Sequence, residues 1–156
     1  MASYPSVTKT WHNDTYPAVD PRQRPELSLK GKTVVITGGG TGVGKGLTRA
    51  FADAGAAKIA VLARREAVLR EVKQEVEDVE TGSKVTIHAT DVTHLASVEN
   101  AALEIGQWDV LVSNAGYLHA IASVTDVDPE DWWTAFEVHS SQSFHEAAAD
   151  SVSRST

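Results

Sequence analysis

The chain has 156 residues, of which 42% are hydrophobic and 22% are charged, proportions typical of one globular domain with its own core. It contains no cysteine, which excludes a disulfide framework, a Cys-ligated zinc site and an iron–sulfur cluster. No apolar run approaches the roughly eighteen residues of a membrane span, and the first residues lack the apolar core of a secretory signal. We therefore expect a soluble, cytoplasmic protein with no membrane partner.

The charge is distributed unevenly. Residues 1–84 carry 13 Lys and Arg against 10 Asp and Glu, whereas residues 85–156 carry one basic residue against 11 acidic ones. The net charge of the whole chain is −7, which argues against nucleic acid as a partner. The last lysine is Lys84, so the second half of the chain has no lysine to offer for chemistry.

Residues 1–30 are predicted to form an N-terminal extension, because four prolines interrupt any regular pattern. Its aromatic residues are scattered among polar ones: Tyr4, Trp11 and Tyr16. These aromatics favour packing onto a domain, whereas the polar surroundings favour a disordered tail. The sequence leaves both interpretations open.

From residue 32 onward, apolar runs alternate with amphipathic patterns. Buried strands are predicted at residues 33–37, 58–63, 84–89 and 109–113. Helices are predicted at residues 43–54, 65–80 and 95–105, and after Asp128 as N-cap with Pro129 in the first helical position. The apolar positions of the first helix are Val43, Leu47, Ala50, Phe51 and Ala54, and Gly55 ends it. Those of the second helix are Val68, Leu69, Val72, Val76 and Val79.

This alternation predicts an α/β fold with a parallel sheet covered by helices on both faces. Right-handed crossovers then give a Rossmann-like doubly wound sheet, whose full form has six strands in the order 3-2-1-4-5-6. Four strands are identifiable, so we expect an incomplete sheet in the order 3-2-1-4. Residues 140–156 hold six serines and few apolar residues, and are predicted to be a fraying helix end and a disordered tail.

A glycine-rich segment, TGGGTGVGKG at residues 37–46, joins the first strand to the first helix. A helix N-terminus offers unpaired N–H groups to a pyrophosphate, and glycine lets the backbone approach it. Neither G-x-G-x-x-G nor the P-loop ending is present. The segment matches T-G-x-x-x-G-x-G through Thr37, Gly38, Gly42 and Gly44. The alternative is a glycine turn without a ligand.

Two further motifs follow: Asp91-Val92 after the third strand and Asn114-Ala115-Gly116 after the fourth. With these three motifs in this order, the chain resembles the classical short-chain dehydrogenase/reductase family over roughly residues 30–139, and its aromatic extension resembles that of fungal members. The resemblance implies an NAD(P)-binding Rossmann domain over residues 31–139. It also implies hydride transfer between NADPH and a carbonyl or hydroxyl group of a small molecule, and self-association of the chain.

The resemblance assigns the cofactor-binding positions residue by residue. Those bordering the adenosine and pyrophosphate are Gly38, Thr41, Gly42, Val43 and Gly44. Asp91 contacts the adenine amino group with Val92 beside it, while Asn114 holds the central sheet and flanks the ribose, followed by Ala115 and Gly116. Two alternatives stay open: Asp91 as the N-cap of the third helix, and Asn114 as a plain turn residue.

The choice of cofactor depends on the end of the second strand. An acidic residue there would bind the ribose 2′-hydroxyl and favour NAD, but this position is Ala63. Arg64 follows, and its guanidinium suits a 2′-phosphate, so NADP is favoured over NAD. The alternative is that Arg64 and Arg65 form a solvated helix start, although positive charge is unfavourable at a helix N-terminus.

In the family, hydride transfer uses a tyrosine acid/base, a lysine four residues later that lowers the tyrosine pKa and binds the nicotinamide ribose, a serine that orients the carbonyl, and an asparagine on the helix after the N-A-G turn. The tyrosines here are Tyr4, Tyr16 and Tyr117, and none is followed by that lysine, so we expect no catalytic residue in this chain. His139 stands near the asparagine position, and its action as a general base is the alternative. No metal-binding histidine motif and no G-x-S-x-G turn is present.

Three interpretations of the function remain. The chain is the cofactor-binding half of an NADP-dependent oxidoreductase, a catalytically inactive dinucleotide-binding module, or a non-functional truncated gene product. Family members usually have asparagine at the position of His139 and glycine at that of Gln142. These two differences and the serine-rich end that follows are typical of the product of a truncated or mis-spliced reading frame. The substrate is not identifiable from these residues.

Overall fold

The computed structural model describes residues 16–79 and 81–153, and for residues 141–144 and 146–153 it describes the backbone alone. Its strands are β1 (Thr33–Thr37), β2 (Lys58–Ala63), β3 (Lys84–Ala89) and β4 (Val110–Val112). Its α-helices are α1 (Gly42–Asp53), α2 (Glu66–Glu77), α3 (Leu95–Ile105) and α4 (Pro129–Ser153). Two short 3₁₀ turns, Pro17–Val19 and Pro25–Leu27, precede β1.

The four strands form one parallel sheet in the order β3-β2-β1-β4, which confirms the predicted topology. β1 lies in the interior, with Val35 paired to Ala60 of β2 on one side and to Leu111 of β4 on the other. The carboxyl ends of β1, β2 and β4 therefore come together, and the point between β1 and β4 where the strand order reverses is where ligands bind in open α/β sheets.

Alternate residues of each strand enter different cores, because successive side chains in a strand point to opposite faces. On one face, Val34 and Ile36 of β1 pack in a cluster that includes Leu69 of α2. On the other face, Val35 packs in a cluster with Ile105 of α3, and α4 lies against α3. The sheet is covered on both faces, as the continuous apolar runs predict.

The buried face of α1 matches the predicted one only in part, since Leu47 and Phe51 are partly buried and pack against the core. Gly44, Thr48 and Ala52 are buried, whereas Val43 is 74% exposed. Small residues at this spacing let the helix approach the sheet closely, and the Thr48 hydroxyl is satisfied by the carbonyl of Gly44 at 2.9 Å. The apolar periodicity therefore identified Leu47 and Phe51 but not the fully buried small residues beside them.

The helix α2 is shorter than predicted and ends at Glu77, with Asp78 as its C-cap. Three of its predicted apolar positions, Leu69, Val72 and Val76, are buried. Val79 lies beyond the helix and is 68% exposed, because the chain leaves the helical direction before that side chain reaches the core.

The strand β4 is also shorter than residues 109–113. Asp109 instead holds the start of the strand, since its carboxylate accepts hydrogen bonds from Lys32 Nζ at 2.7 Å and from the Thr33 backbone N–H at 2.8 Å. These bonds fix the amino end of β4 against β1. Among the described residues the strand pairs with β1 alone, through a ladder of three residues.

The helix α4 is longer than predicted. Asp128 accepts a hydrogen bond from the Glu130 backbone N–H at 2.9 Å, which confirms its capping role. The helix then continues to Ser153, past residue 140, from which the sequence predicts a fraying helix end and a disordered tail. Ser140 donates to the Phe136 carbonyl at 2.8 Å, a bond that accommodates serine inside a helix, and three alanines follow at residues 147–149.

The described part of the N-terminal extension, residues 16–30, packs against the domain. Leu29 lies against the core, and its backbone N–H bonds to the Ala54 carbonyl at 2.8 Å. Asp20 is buried and accepts hydrogen bonds from Arg22 and Gln23. Residues 1–15, with Tyr4 and Trp11, lie outside the described residues. Within the described ranges, no helix combines the length and the hydropathy needed to cross a membrane.

Candidate functional site

A cleft opens along the carboxyl ends of the parallel strands, with a cavity of about 380 Å³. The β1–α1 turn, the start of α2 and the segments after β3 and β4 surround it. Ten of the eleven predicted cofactor-binding residues line it: Gly38, Thr41, Val43, Gly44, Arg64, Asp91, Val92, Asn114, Ala115 and Gly116. The eleventh, Gly42, begins α1 with a φ of +52°. The structure thus brings together residues that the sequence separates by up to 78 positions.

The turn between β1 and α1 is glycine-rich because neighbouring atoms leave no room for side chains. A Cβ on Gly38 would lie 2.7 Å from the Ala115 Cα, and one on Gly44 would lie 2.3 Å from the Gly38 carbonyl oxygen. A Cβ on Gly39 would lie 2.4 Å from Val61 Cγ1. The family motif leaves the Gly39 position open, so only the observed packing on β2 reveals its requirement.

The start of α1 presents unused hydrogen-bond donors to the cleft. Thr41 is the N-cap, and its side chain makes no capping bond. Within the described residues, the backbone N–H groups of Thr41, Gly42 and Val43 have no acceptor. Lys45, in the first turn of α1, does not line the cleft. Its Nζ instead donates to Glu75 Oε1 on α2 at 2.6 Å. The donor set therefore fits a phosphate held by backbone N–H groups at a helix N-terminus.

Asn114 and Thr37 tie the end of β4 to the end of β1. Asn114 Nδ2 donates to the carbonyls of Thr37 at 2.9 Å and Gly38 at 3.3 Å. The Thr37 hydroxyl accepts hydrogen bonds from the backbone N–H groups of Asn114 at 3.0 Å and Ala115 at 3.2 Å. Asn114 therefore holds the central sheet as the family resemblance implies, and its interpretation as a plain turn residue is wrong.

Two arginines stand where β2 passes into α2. Both Arg64 and Arg65 are exposed and line the cleft, and Arg65 is the N-cap of α2 without a side-chain capping bond. Neither guanidinium forms a hydrogen bond or an ion pair within the part of the chain that the structure describes. Ala63 before them offers no carboxylate, so this end of the cleft is open to an anionic group.

Asp91 supplies a negative charge at the end of β3. Its Oδ1 accepts hydrogen bonds from the Thr93 backbone N–H at 3.0 Å and the Thr93 hydroxyl at 2.7 Å. Burial raises the pKa of Asp91, but the bonds from Thr93 and the nearby charges of His94 and Arg64 outweigh it and hold the pKa below its usual value. The N-cap of α3 is His94, so the alternative that Asp91 caps this helix is wrong.

Tyr117 and Val138 complete the cleft beside β4, and the sequence motifs did not identify them. The Tyr117 hydroxyl donates to Asp131 Oδ1 at 2.5 Å, and this bond raises the pKa of Tyr117. His139 lies just behind: its Nε2 donates to the Tyr117 carbonyl at 3.2 Å, and its ring packs against Gly116. The polar atoms of both side chains thus face protein groups of α4 or the turn.

No group of three or more His, Asp or Glu residues is placed to hold a metal ion in the described ranges. The polar groups that converge on the cleft are backbone N–H donors, two guanidinium groups, one carboxylate and one amide. This set is suited to binding a phosphorylated, hydrogen-bonding ligand rather than a metal.

Comparison with known proteins supports the same conclusion. The family model described as short chain dehydrogenase matches residues 32–150. The short chain dehydrogenase tazN of Aspergillus terreus is 42% identical over 139 residues, which cover 85% of this chain and 29% of the relative. The chain spans about half or less of the length of the curated relatives that it matches.

Solved structures of dehydrogenases are also similar to this chain. A short-chain type dehydrogenase/reductase from Mycobacterium marinum is similar with a TM-score of 0.73 at 30% identity, covering 81% of this chain and 51% of that one. An alcohol dehydrogenase from the archaeon Thermococcus sibiricus, complexed with 5-hydroxy-NADP, has a TM-score of 0.71 at 31% identity, covering 78% and 52%. Other similar structures hold NADP or NAD⁺, so the fold alone does not select one cofactor. The sheet topology, the cleft and the match over residues 32–150 show that this chain belongs to the short-chain dehydrogenase/reductase family, with its Rossmann-like NAD(P)-binding fold.

Proposed function

We propose that the cleft binds NADP(H) and that the chain is the cofactor-binding half of an NADP-dependent oxidoreductase. The observation that carries the proposal is the pair Ala63 and Arg64 at the end of β2. No carboxylate is present there to bind a ribose 2′-hydroxyl, and an exposed, unpaired guanidinium lines the cleft in its place. Arginine recognises phosphate through paired, charge-assisted hydrogen bonds.

The other cleft residues have matching roles in this proposal. The free N–H groups at the start of α1 bind the pyrophosphate, and the ionised Asp91 accepts a hydrogen bond from the adenine amino group. Asn114 keeps the β1 and β4 ends in register beside the adenosine ribose. When bound, NADPH supplies a hydride for the reduction of a carbonyl group in a small-molecule substrate.

A second candidate is a dinucleotide-binding module without catalysis. It is favoured by the absence of a Tyr-x-x-x-Lys sequence in these 156 residues, and by the engagement of the Tyr117 hydroxyl with Asp131. Cofactor binding is common to both candidates, and substrate turnover separates them. A cytoplasmic location, self-association and a small-molecule substrate stay predictions from the sequence and the family resemblance.

The proposal is tested by fluorescence titration of the chain with NADPH and with NADH. We expect tighter binding of NADPH, and a loss of roughly ten- to a hundredfold in NADPH affinity in Arg64→Asp, because a charge-assisted phosphate contact contributes about 1.5–3 kcal/mol. Arg70→Asp is the matched control, since Arg70 is an exposed α2 arginine that pairs with Glu66 outside the cleft. Equal affinities for the two cofactors would contradict the NADP assignment.

A further inference from the structure

Two side chains of helix α4 form hydrogen bonds with Tyr117, one with its hydroxyl and one with its backbone carbonyl. Asp131 Oδ1 accepts a hydrogen bond from the Tyr117 hydroxyl at 2.5 Å, and His139 Nε2 donates to the Tyr117 carbonyl at 3.2 Å. The second carboxylate oxygen of Asp131 accepts from the Ala120 backbone N–H at 2.9 Å. One acidic side chain therefore anchors both the Tyr117 ring and the chain three residues later.

Other restraints on this segment are few. Three large aliphatic side chains of the segment between β4 and α4 are among the most exposed in the described residues: Leu118 at 76%, Ile121 at 92% and Val124 at 93%. Apolar packing therefore contributes little to its position. In the part of the chain that the structure describes, three side-chain hydrogen bonds join residues 117–120 to α4, two at Asp131 and one from His139, and the Asp131 bond to the hydroxyl is the one that acts on the Tyr117 ring.

The strand order places Tyr117 on the side of the cleft away from the proposed adenine site. β1 lies between β2 and β4, and neighbouring strands are about 4.8 Å apart. Arg64 follows β2 and Asp91 follows β3, whereas Tyr117 follows β4. An adenosine phosphate is short enough to bind on the β2 and β3 side alone. A dinucleotide is long enough to cross β1 and reach Tyr117.

We propose that Asp131 is a positioning residue that fixes Tyr117 as the wall of the β4 side of the cleft, where the nicotinamide half of the dinucleotide binds. This inference rests on the proposed NADP(H) binding. Asp131 acts through Tyr117, which lines the cleft, and does not itself line it. As a carboxylate it accepts both hydrogen bonds at once, a capacity that alanine lacks and that asparagine retains for one bond only.

The test compares a ligand that spans the cleft with one that occupies its β2 side. Calorimetric titrations use NADPH and adenosine 2′,5′-bisphosphate with the chain, with Tyr117→Phe, with Asp131→Ala and with the double variant. We expect each single variant to bind NADPH roughly fivefold or more weakly, as expected for a lost hydrogen bond to a charged group. Binding of adenosine 2′,5′-bisphosphate should change less than about twofold, and the double variant should be no weaker than the weaker single variant.

Glu130→Gln is the matched control, because it removes one negative charge from the same turn of α4 and leaves the Tyr117 contact intact. Ultraviolet titration adds a second measurement: the tyrosine whose signal disappears in Tyr117→Phe should ionise at lower pH in Asp131→Asn than in the parent chain, since the Asp131 bond raises its pKa.

The inference is overturned if the variants bind NADPH like the parent chain, or if both ligands weaken equally, which would indicate a general loss of structure. Binding of the bisphosphate without binding of NADPH would also overturn it while leaving Arg64 as a phosphate site. Binding of neither ligand would reject the proposed function and this inference with it.

Discussion

Individual glycines of the β1–α1 turn differ in what they contribute. A Cβ on Gly44 would meet the Gly38 carbonyl oxygen at 2.3 Å and Asn114 Nδ2 at 2.5 Å. Gly46, two residues later in the same helix, faces open space. The first glycine is therefore required by contacts inside the protein, and the second costs the helix backbone entropy without a packing benefit.

Substitution by alanine at these two positions should act in opposite directions. We expect Gly44→Ala to lower the free energy of unfolding by about 1–3 kcal/mol, the range for an overpacked site, because the carbonyl and amide beside it have no room to move. Gly46→Ala should raise it by roughly 0.5–1 kcal/mol. Urea denaturation measures both, and an equal effect of the two substitutions would contradict the packing argument.

The positions of the site residues were predictable where they follow strands. Residues at the carboxyl ends of parallel strands converge by topology, so Arg64, Asp91 and Asn114 line the cleft as expected. Tyr117 was not predictable, since its place depends on a contact with Asp131 in a helix whose packing the sequence does not reveal. Gly39 was missed for a similar reason: its neighbour Val61 lies on another strand.

Among the elements, the central strands were predicted with the observed bounds and the helices less well. β1, β2 and β3 are runs of apolar and β-branched residues between polar or glycine-containing segments, so pattern and burial coincide. In α1, apolar periodicity identifies Leu47 and Phe51, which pack against the core, but it does not detect the fully buried glycine, threonine and alanine beside them. The helix α4 continues past its serines, and the Ser140 hydroxyl there donates to the Phe136 carbonyl.

The packing of α2 on α1 includes a charged link with a predictable response to pH. Glu75 of α2 accepts hydrogen bonds from Lys45 and Arg49 of α1, and these bonds hold the pKa of Glu75 below its usual 4.5. A carboxylate with a lowered folded-state pKa stabilises the fold above its unfolded-state pKa, and that contribution is lost as the pH falls through the lower folded-state value.

As the pH is lowered from about 6 to about 3, we therefore expect the free energy of unfolding to fall less in Glu75→Gln than in the parent chain. The effect should be small and should shrink in high salt, because the three side chains are partly exposed. Glu71→Gln is the control, since Glu71 is an exposed α2 glutamate without an ion pair in the described part of the chain. Parallel pH curves for the parent chain and Glu75→Gln would refute the link.

At the scale of the whole molecule, we propose that cofactor binding and catalysis are separable. The cleft is built from the three motifs between residues 37 and 116, and its donors and charges are in place in this four-stranded sheet. No Tyr-x-x-x-Lys sequence is present in these 156 residues: Tyr117 is followed four positions later by Ile121, and its hydroxyl donates to Asp131.

We accordingly expect the chain of residues 1–156 to bind NADPH without family-type carbonyl reduction. A positioned general acid contributes about 10²–10⁴ in rate, and the ribose contact made by the family's lysine is missing as well. His139 does not replace both, because one imidazole cannot donate a proton to the substrate and also anchor the nicotinamide ribose, and its Nε2 already binds the Tyr117 carbonyl. The measurement is NADPH oxidation by the purified chain with a panel of ketones, aldehydes and enoyl compounds. Turnover above roughly 1 s⁻¹, within the ordinary enzyme range, that is abolished by Gly42→Val would show a working reductase and refute the separation of binding from chemistry.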